Sequence, residues 1–232
     1  MRPPAVSMVL ACLACLAIGS AGASTTKRAV FSVKLTATLT KTWIATETVE
    51  GHCDQVTTSS GRWQLSLATS RPNRLVAIAP RGSAKSIRFS PAVIRSIAGE
   101  AAQTAAATSE IRDPRCVRSV QRRDCGRQRR SISGARVRLS STAGGRAGLG
   151  RLSGASAART FSGCSEPSEV RSIRTDLDLA GAPISTADVF GRTVPGFFIH
   201  GDTEQVTTIE GGVEGRVTER VRWTLRFTRL SG

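Results

Sequence analysis

Histidine is the first residue type to examine for catalysis, because its imidazole exchanges protons near neutral pH. This 232-residue sequence has two, His52 and His200. Neither stands in a recognisable nucleophile, zinc or phosphate motif, and the sequence has no G-x-S-x-G motif of the serine hydrolases. The segment His200-Gly201-Asp202 brings an imidazole near a carboxylate, but this spacing is more typical of a turn. We therefore predict no enzymatic activity, unless folding places His52 or His200 in a pocket with carboxylates.

Paired carboxylates are the second candidate for chemistry. Asp176 and Asp178 alternate along one face of an acidic segment, and two such groups could serve glycoside hydrolysis. Three tryptophans, seven phenylalanines and no tyrosine provide few rings for a sugar cleft, and many of these rings fall at inward positions. A solvated strand face is the simpler interpretation of this pair.

Cysteine is the third reactive residue type. Beyond the N-terminal segment the chain keeps an even number, Cys53, Cys116, Cys125 and Cys164. Neither these cysteines nor the histidines show C-x-x-C or H-x-x-x-H spacing, so we predict no metal site and no cofactor. Two disulfide bonds are expected in an oxidising compartment, and their three possible pairings stay open. One of them, Cys116–Cys125, would close a short loop on itself.

Arginine is the most unusual feature of the composition. The chain has a formal net charge of +16, and thirteen arginines with two aspartates lie between residues 112 and 159. Arginine forks suit phosphate, sulfate and carboxylate groups. The candidate polyanion-binding residues are Arg115, Arg118, Arg122, Arg123, Arg127, Arg129, Arg130, Arg136 and Arg138.

A competing interpretation assigns this segment no binding role. Codon bias in a high-GC genome raises arginine content by itself. The acidic segment from 164 to 219 carries partners that could neutralise the arginines, including Asp176, Asp178, Glu204 and Glu210. Sequence-specific nucleic-acid recognition is not expected, because residues 112–159 hold no aromatic residue for stacking.

The N-terminal segment resembles a secretory signal peptide. Arg2 precedes a mainly apolar run of thirteen residues, 6–18, and Ala21-Gly22-Ala23 fits the cleavage rule. We predict a signal peptide over 1–23, with an uncleaved anchor as the alternative, and a single extracytoplasmic domain over 24–232. We expect no membrane span in the mature chain, because no second apolar run is long enough for one.

Alternation of apolar and polar residues dominates the rest of the chain. It is clearest from Phe31 to Trp43 and from Val217 to Phe227, where every second residue is polar. The two segments predict long half-buried strands, and shorter strands lie between them. Pro91 to Thr108 favours a helix, because Ser90-Pro91 resembles a capped start and alanines follow. The alternative is a strand near Ile87 and Phe89 that leads into a loop.

The expected fold is mainly β, an antiparallel β-sandwich or a distorted barrel with one possible helix. The segment from Arg112 to Arg130 has too few apolar residues for a core element, so we predict an Arg-rich loop pinned by disulfides. A helical turn is also expected between Ile184 and Phe190.

Several short motifs carry a resemblance to a known group. They are the Thr-rich opening strand ending at Trp43, Cys53 in a polar loop, the turn Asp124-Cys125-Gly126, Phe161-Ser162-Gly163-Cys164 and the closing Arg222-Trp223-Thr224-Leu225-Arg226-Phe227. Together with the N-terminal segment they resemble uncharacterised secreted β-rich proteins of high-GC actinobacteria. The resemblance implies an extracytoplasmic, disulfide-containing domain and brings no activity, ligand or catalytic residue.

The function expected from these observations is non-enzymatic. A secreted or envelope-associated protein could bind an anionic envelope polymer through the Arg-rich segment. The alternative is a structural or protein-interaction β-sandwich module with no polyanion role, whose partner is a surface protein.

Overall fold

The computed structural model describes residues 26–79, 87–142, 146–153, 167–172, 184, 186–191 and 195–231. The strands are β1 (Lys27–Val49), β2 (Gln55–Thr69), β3 (Asn73–Ala79), β4 (Arg88–Ser90), β5 (Val93–Ile111), β6 (Val120–Thr142), β7 (Arg146–Ser153), β8 (Gly196–Ile209) and β9 (Val213–Ser231). Two short helices are present, α1 (Ser168–Ser172) and α2 (Thr186–Phe190). The predicted signal peptide, Cys164, Asp176 and Asp178 lie outside these residues. No helix in the described ranges has the length and apolar composition of a membrane span.

The strands form one open antiparallel sheet with β1 at its centre, so the prediction of a mainly antiparallel β protein is confirmed. Along one edge of β1 lies β9, and β8 pairs with the far side of β9. The other edge of β1 is shared by β2 and β3, which pair with β5 and β4 respectively. Beyond β5 follow β6 and β7. The first and last strands of the chain are therefore neighbours in the sheet.

The hydrophobic core lies on the concave face of this sheet. Phe89 of β4 and Phe227 of β9 belong to strands separated by β3 and β1, yet their ring centroids are only 6.0 Å apart. The sheet must therefore curl strongly, as right-handed strand twist allows for long strands. The alternation predicted for β1 and β9 is confirmed, and Trp43, Trp63 and Trp223 are all buried.

The helix predicted from Pro91 to Thr108 is wrong, because Val93–Ile111 forms strand β5. This strand pairs with β2 along one edge and with β6 along the other, so neighbouring strands satisfy its backbone. The strand buries Ile94, Ala101 and Ala105 in the core. Helix propensity depends on residue type alone, so it does not identify these residues as core positions. Strand pairing thus overrides the helical preference of the alanines. That preference is small, about 0.5 kcal/mol per residue relative to other residue types.

The Arg-rich segment divides into a loop and a strand. Residues 112–119 form the predicted loop, and a disulfide joins Cys116 to Cys53, with 5.9 Å between their Cα atoms. Cys125 is also disulfide-bonded. The remainder of the segment, from Val120 onward, is not a loop but the first half of β6. Its arginines are tolerated in a strand because they extend from it into solvent.

Two inward-facing cations hold the short helices on the concave face. Lys41, only 6% exposed, donates from Nζ to the carbonyl oxygen of Val170 in α1. Arg229 donates from Nη2 to the carbonyl oxygen of Val189 in α2 at 2.6 Å. Val170 and Val189 are themselves fully buried. The two cations thus satisfy carbonyl oxygens that short helices leave without backbone partners. The helical turn expected between Ile184 and Phe190 is confirmed as α2.

Candidate anion-binding face

The convex outer face of the sheet carries most of the polar chemistry of the described residues. Alternation places the outward side chains of neighbouring strands in rows that cross the sheet. One such row runs from Arg62 of β2 through Thr104 of β5 to Arg127 of β6, each residue being the register partner of the next. Because neighbouring strands lie about 4.8 Å apart, the backbones of the two arginines are about 10 Å apart.

These arginines flank a depression with a floor of small side chains. The depression has a volume of about 220 Å³, and Ala102 and Thr104 lie on its floor between Arg62 and Arg127. Gln64 lines it as well, opposite Ala102 in the register. We call Arg62, Gln64, Ala102, Thr104 and Arg127 the arginine slot. Two guanidinium groups facing each other across small residues can contact one anionic group from both sides.

The arginines of the slot are available to a ligand. Among the described residues, no carboxylate lies within salt-bridge distance of Arg62 or Arg127. The same holds for Arg122, which also lies on the outer face of β6, opposite Thr108. A charge without a local partner contributes its full attraction to an incoming anion, and the field of several such charges adds.

The structure brings only part of the predicted arginine set together. Arg122, Arg127 and Arg129 share the outer face of β6, and Arg136 and Arg138 continue it beyond Gly134, because Ala135 and Val137 between them are buried. Arg123 and Arg130 belong to the opposite face of the strand, since their register partners are Ala107 and the buried Ala101.

Other predicted arginines are neutralised locally. In the 112–119 loop, Arg115 makes a two-pronged contact with Asp113, through Nε at 2.9 Å and Nη2 at 2.6 Å. Arg118 donates to Glu110 at 2.8 Å, and this bond, together with one from Arg112, lowers the pKa of Glu110. Arg129 lies 3.7 Å from Glu100. The 112–119 loop therefore gives the polyanion hypothesis the least support, because carboxylates already pair with its arginines.

The acidic segment was expected to neutralise the arginines, and one of its carboxylates, that of Glu204, pairs with an arginine of β9. Glu204 lies 3.6 Å from Arg220 of β9, and the acidic partners of Arg115, Arg118 and Arg129 come from β5 and the loop after it. Asp176 and Asp178 lie outside the described residues. In each of these pairs the carboxylate is a neighbour in the sheet or in the loop, because register, and not the overall charge of a segment, sets which strand residues meet.

The two histidines lie far apart on the sheet. His52 is exposed in the turn between β1 and β2. His200 lines a separate outer-face depression together with Asp202, although both oxygens of that carboxylate already accept bonds from arginines. The described residues contain no group of three or more His, Cys, Asp or Glu side chains arranged to hold a metal ion.

Sequence reasoning missed Arg62, Gln64, Ala102 and Thr104. The signal for Arg62 was present, because it precedes Trp63 and Leu65 at an outward position of an alternating strand. The floor residues were missed because 91–108 was expected to be helical. Lys41 was missed as well, although it occupies an inward position between Leu39 and Trp43, where a charge breaks the pattern.

No protein-family profile, curated protein or solved structure matches this chain.

Proposed function

We propose that this protein is an extracytoplasmic polyanion-binding protein and that the arginine slot is the central contact for its ligand. The observation that carries the proposal is the row Arg62–Thr104–Arg127, in which two arginines without carboxylate partners in the described residues face each other across a shallow depression. The ligand class is an extended polymer bearing phosphate, sulfate or carboxylate groups.

The outer face supports an extended ligand better than a small one. Arg122 and Arg127 lie on the outer face of β6 on either side of Asp124, so anionic groups of one extended polymer can contact both arginines while its chain passes that carboxylate. The depression is open and shallow, with Ala102 as its least bulky floor residue. Affinity for such a ligand comes mainly from release of counterions, and it falls as salt rises.

The extracytoplasmic part of the proposal rests on the disulfide. Cys53–Cys116 joins two loops at one end of the sheet, and stable structural disulfides are typical of oxidising compartments. The N-terminal segment described above supports the same location. Polymers rich in phosphate or carboxylate are abundant on cell envelopes, which makes them the natural ligands for a basic protein in that compartment.

Retention on a phosphopolymer or heparin matrix during a salt gradient tests the proposal. We expect the double variant Arg62→Gln/Arg127→Gln to elute at clearly lower salt than the unmodified protein. Its plot of log affinity against log salt should lose about 1 to 2 units of slope, because each phosphate contact contributes about 0.7 to 0.9.

The matched control is Arg115→Gln/Arg118→Gln, which removes the same charge from arginines that are already paired. Its elution should shift much less. Equal shifts in both variants would mean that overall charge, and not the slot, causes retention. If the unmodified protein elutes at the same salt concentration as a neutral control protein, the polyanion-binding proposal is wrong. The protein-interaction alternative then remains.

A further inference from the structure

A second depression lies on the outer face where β8, β9 and β1 are neighbours. It has a volume of about 310 Å³, at the lower end of the roughly 300–1,000 Å³ usual for ligand sites. Register partners from the three strands form two rows of three residues across it. Its polar side chains are those of His200, Thr224 and Thr36 in one row and of Asp202, Arg222 and Thr38 in the next.

Asp202 is a fixed hydrogen-bond acceptor in this depression. Arg220 donates from Nε to Oδ1 at 2.9 Å and from Nη2 to Oδ2 at 2.7 Å, and Arg222 donates from Nε to Oδ2 at 3.1 Å. The hydrogen bonds from Arg220, reinforced by Arg222, lower the pKa of Asp202 to about 2. The carboxylate is therefore ionised and oriented, and it keeps lone pairs for further donors.

An exposed aromatic ring borders the depression. Phe198 is 67% exposed, and its ring centroid lies 6.0 Å from that of His200. It also lines an adjoining depression of about 510 Å³ that shares Thr224 with the first. Phe197, the preceding residue, stacks on Phe227 at 4.4 Å, so the strand is anchored from inside while Phe198 faces solvent.

The combination favours a ligand rich in hydroxyl groups. The threonine hydroxyl groups can donate hydrogen bonds to sugar hydroxyl groups and accept hydrogen bonds from them. The carboxylate of Asp202 can accept hydrogen bonds from sugar hydroxyl groups. The face of an aromatic ring carries negative charge density, which attracts the polarised C–H groups of a pyranose ring. Asp202 and Arg222 pair with each other inside the depression, so this site combines a paired charge with hydroxyl groups and differs in chemistry from the arginine slot.

We propose that Phe198 and the depression beside it form a saccharide-binding site for neutral sugar units. One pyranose ring lies in the depression, where its hydroxyl groups exchange hydrogen bonds with Asp202, Arg222 and the threonines. A neighbouring ring of the same chain packs on Phe198, about 13 Å along β8 from Asp202. The adjoining depression accommodates a second unit of the chain. This proposal does not depend on polyanion binding by the arginine slot, because the two sites lie on different strands.

Titration of the isotopically labelled protein with three neutral disaccharides, cellobiose, maltose and diacetylchitobiose, tests the site by amide chemical shifts. We expect saturable shifts in β8 and β9 for at least one sugar. Affinity should fall at least about 10-fold in Phe198→Ala and in Asp202→Asn, which is about 1.4 kcal/mol. Binding of a neutral sugar should change little between about 50 and 500 mM salt.

Val206→Ala is the matched control, because Val206 is 45% exposed on the outer face of the same strand and lies outside both depressions. It should leave sugar affinity unchanged. The absence of saturable shifts with all three sugars would overturn the proposal. So would an equal loss of affinity in the control, or binding that disappears with salt.

Discussion

At the scale of single residues, glycine determines where two of the buried tryptophans can lie. Trp43 is the register partner of Gly61, and a Cβ added to Gly61 would lie 2.1 Å from Cζ2 of the indole. Trp223 covers Gly201 in the same way, with its Nε1 at 2.3 Å from the added atom. A bulky ring packs flat across a neighbouring strand only where that strand has no side chain.

The substitution Gly61→Ala tests this packing. The added methyl group would also lie 2.7 Å from the backbone oxygen of Thr104, so rotation of the indole would not relieve every clash. We expect a loss of about 1 to 3 kcal/mol in the free energy of unfolding, the usual cost of overpacking a core. Urea denaturation followed by tryptophan fluorescence measures it.

Gly51→Ala serves as the control for this experiment. A Cβ at Gly51 meets nothing within 4 Å, so the change should stay within about 0.5 kcal/mol. A Gly61→Ala protein as stable as the Gly51→Ala protein would show that the indole adapts at no cost.

At the scale of elements, the disulfide joins the two loops that close neighbouring hairpins. Cys53 lies between β1 and β2, and Cys116 lies between β5 and β6, at a sequence separation of 63 residues. The bond fixes the end of the sheet nearest to the loop arginines. It also supports the start of β6, whose arginines depend on the strand for their outward orientation.

Replacement of both cysteines, Cys53→Ser/Cys116→Ser, should destabilise the fold. Closing a loop of this length removes conformational entropy from the unfolded chain worth about 4 kcal/mol. Chemical denaturation of the oxidised protein and of this variant, at equal pH and salt, measures the difference.

The control is Val117→Ser, which changes a side chain that is 88% exposed beside the disulfide. Its effect should remain within about 0.5 kcal/mol. If the double cysteine variant is equally mild, the unfolded chain already keeps these two loops together.

At the scale of the whole molecule, one curled sheet separates two kinds of surface. The concave face carries the hydrophobic core, and α1 and α2 pack on it through bonds from Lys41 and Arg229. The convex face is polar, with the arginine slot on β2, β5 and β6 and the proposed sugar site on β8, β9 and β1. Each site gathers side chains from three strands, so formation of the sheet is a precondition for both.

Because the two sites share no residue, we expect them to act independently. Arg62→Gln/Arg127→Gln should leave the affinity for a neutral disaccharide unchanged, and Phe198→Ala should leave retention on a phosphopolymer matrix unchanged. Separate sites usually add within about 0.3 to 0.5 kcal/mol. A cross effect well above this range would mean that both substitutions disturb one common surface.

The alternation of residue types along the chain determined much of the fold by itself. It predicted β1 and β9 with their inward tryptophans, because side chains of a strand alternate between two faces and only one face of these strands is apolar. The same alternation directs Arg136 and Arg138 outward, because Ala135 and Val137 are buried. These features depend on neighbours in the sequence, and the sequence contains those neighbours.

Only the tertiary structure decided which strands lie side by side and in what register. The alanine-rich residues of β5 have a local preference for helix, and the pairing with β2 and β6 overrides it. The same pairing places Thr104 between Arg62 and Arg127. It also puts Arg127 in a strand, whereas the arginines that precede it at 112–118 lie in a loop. Strand pairing between distant segments depends on the packing of the whole core, so the candidate sites could not be derived from local pattern.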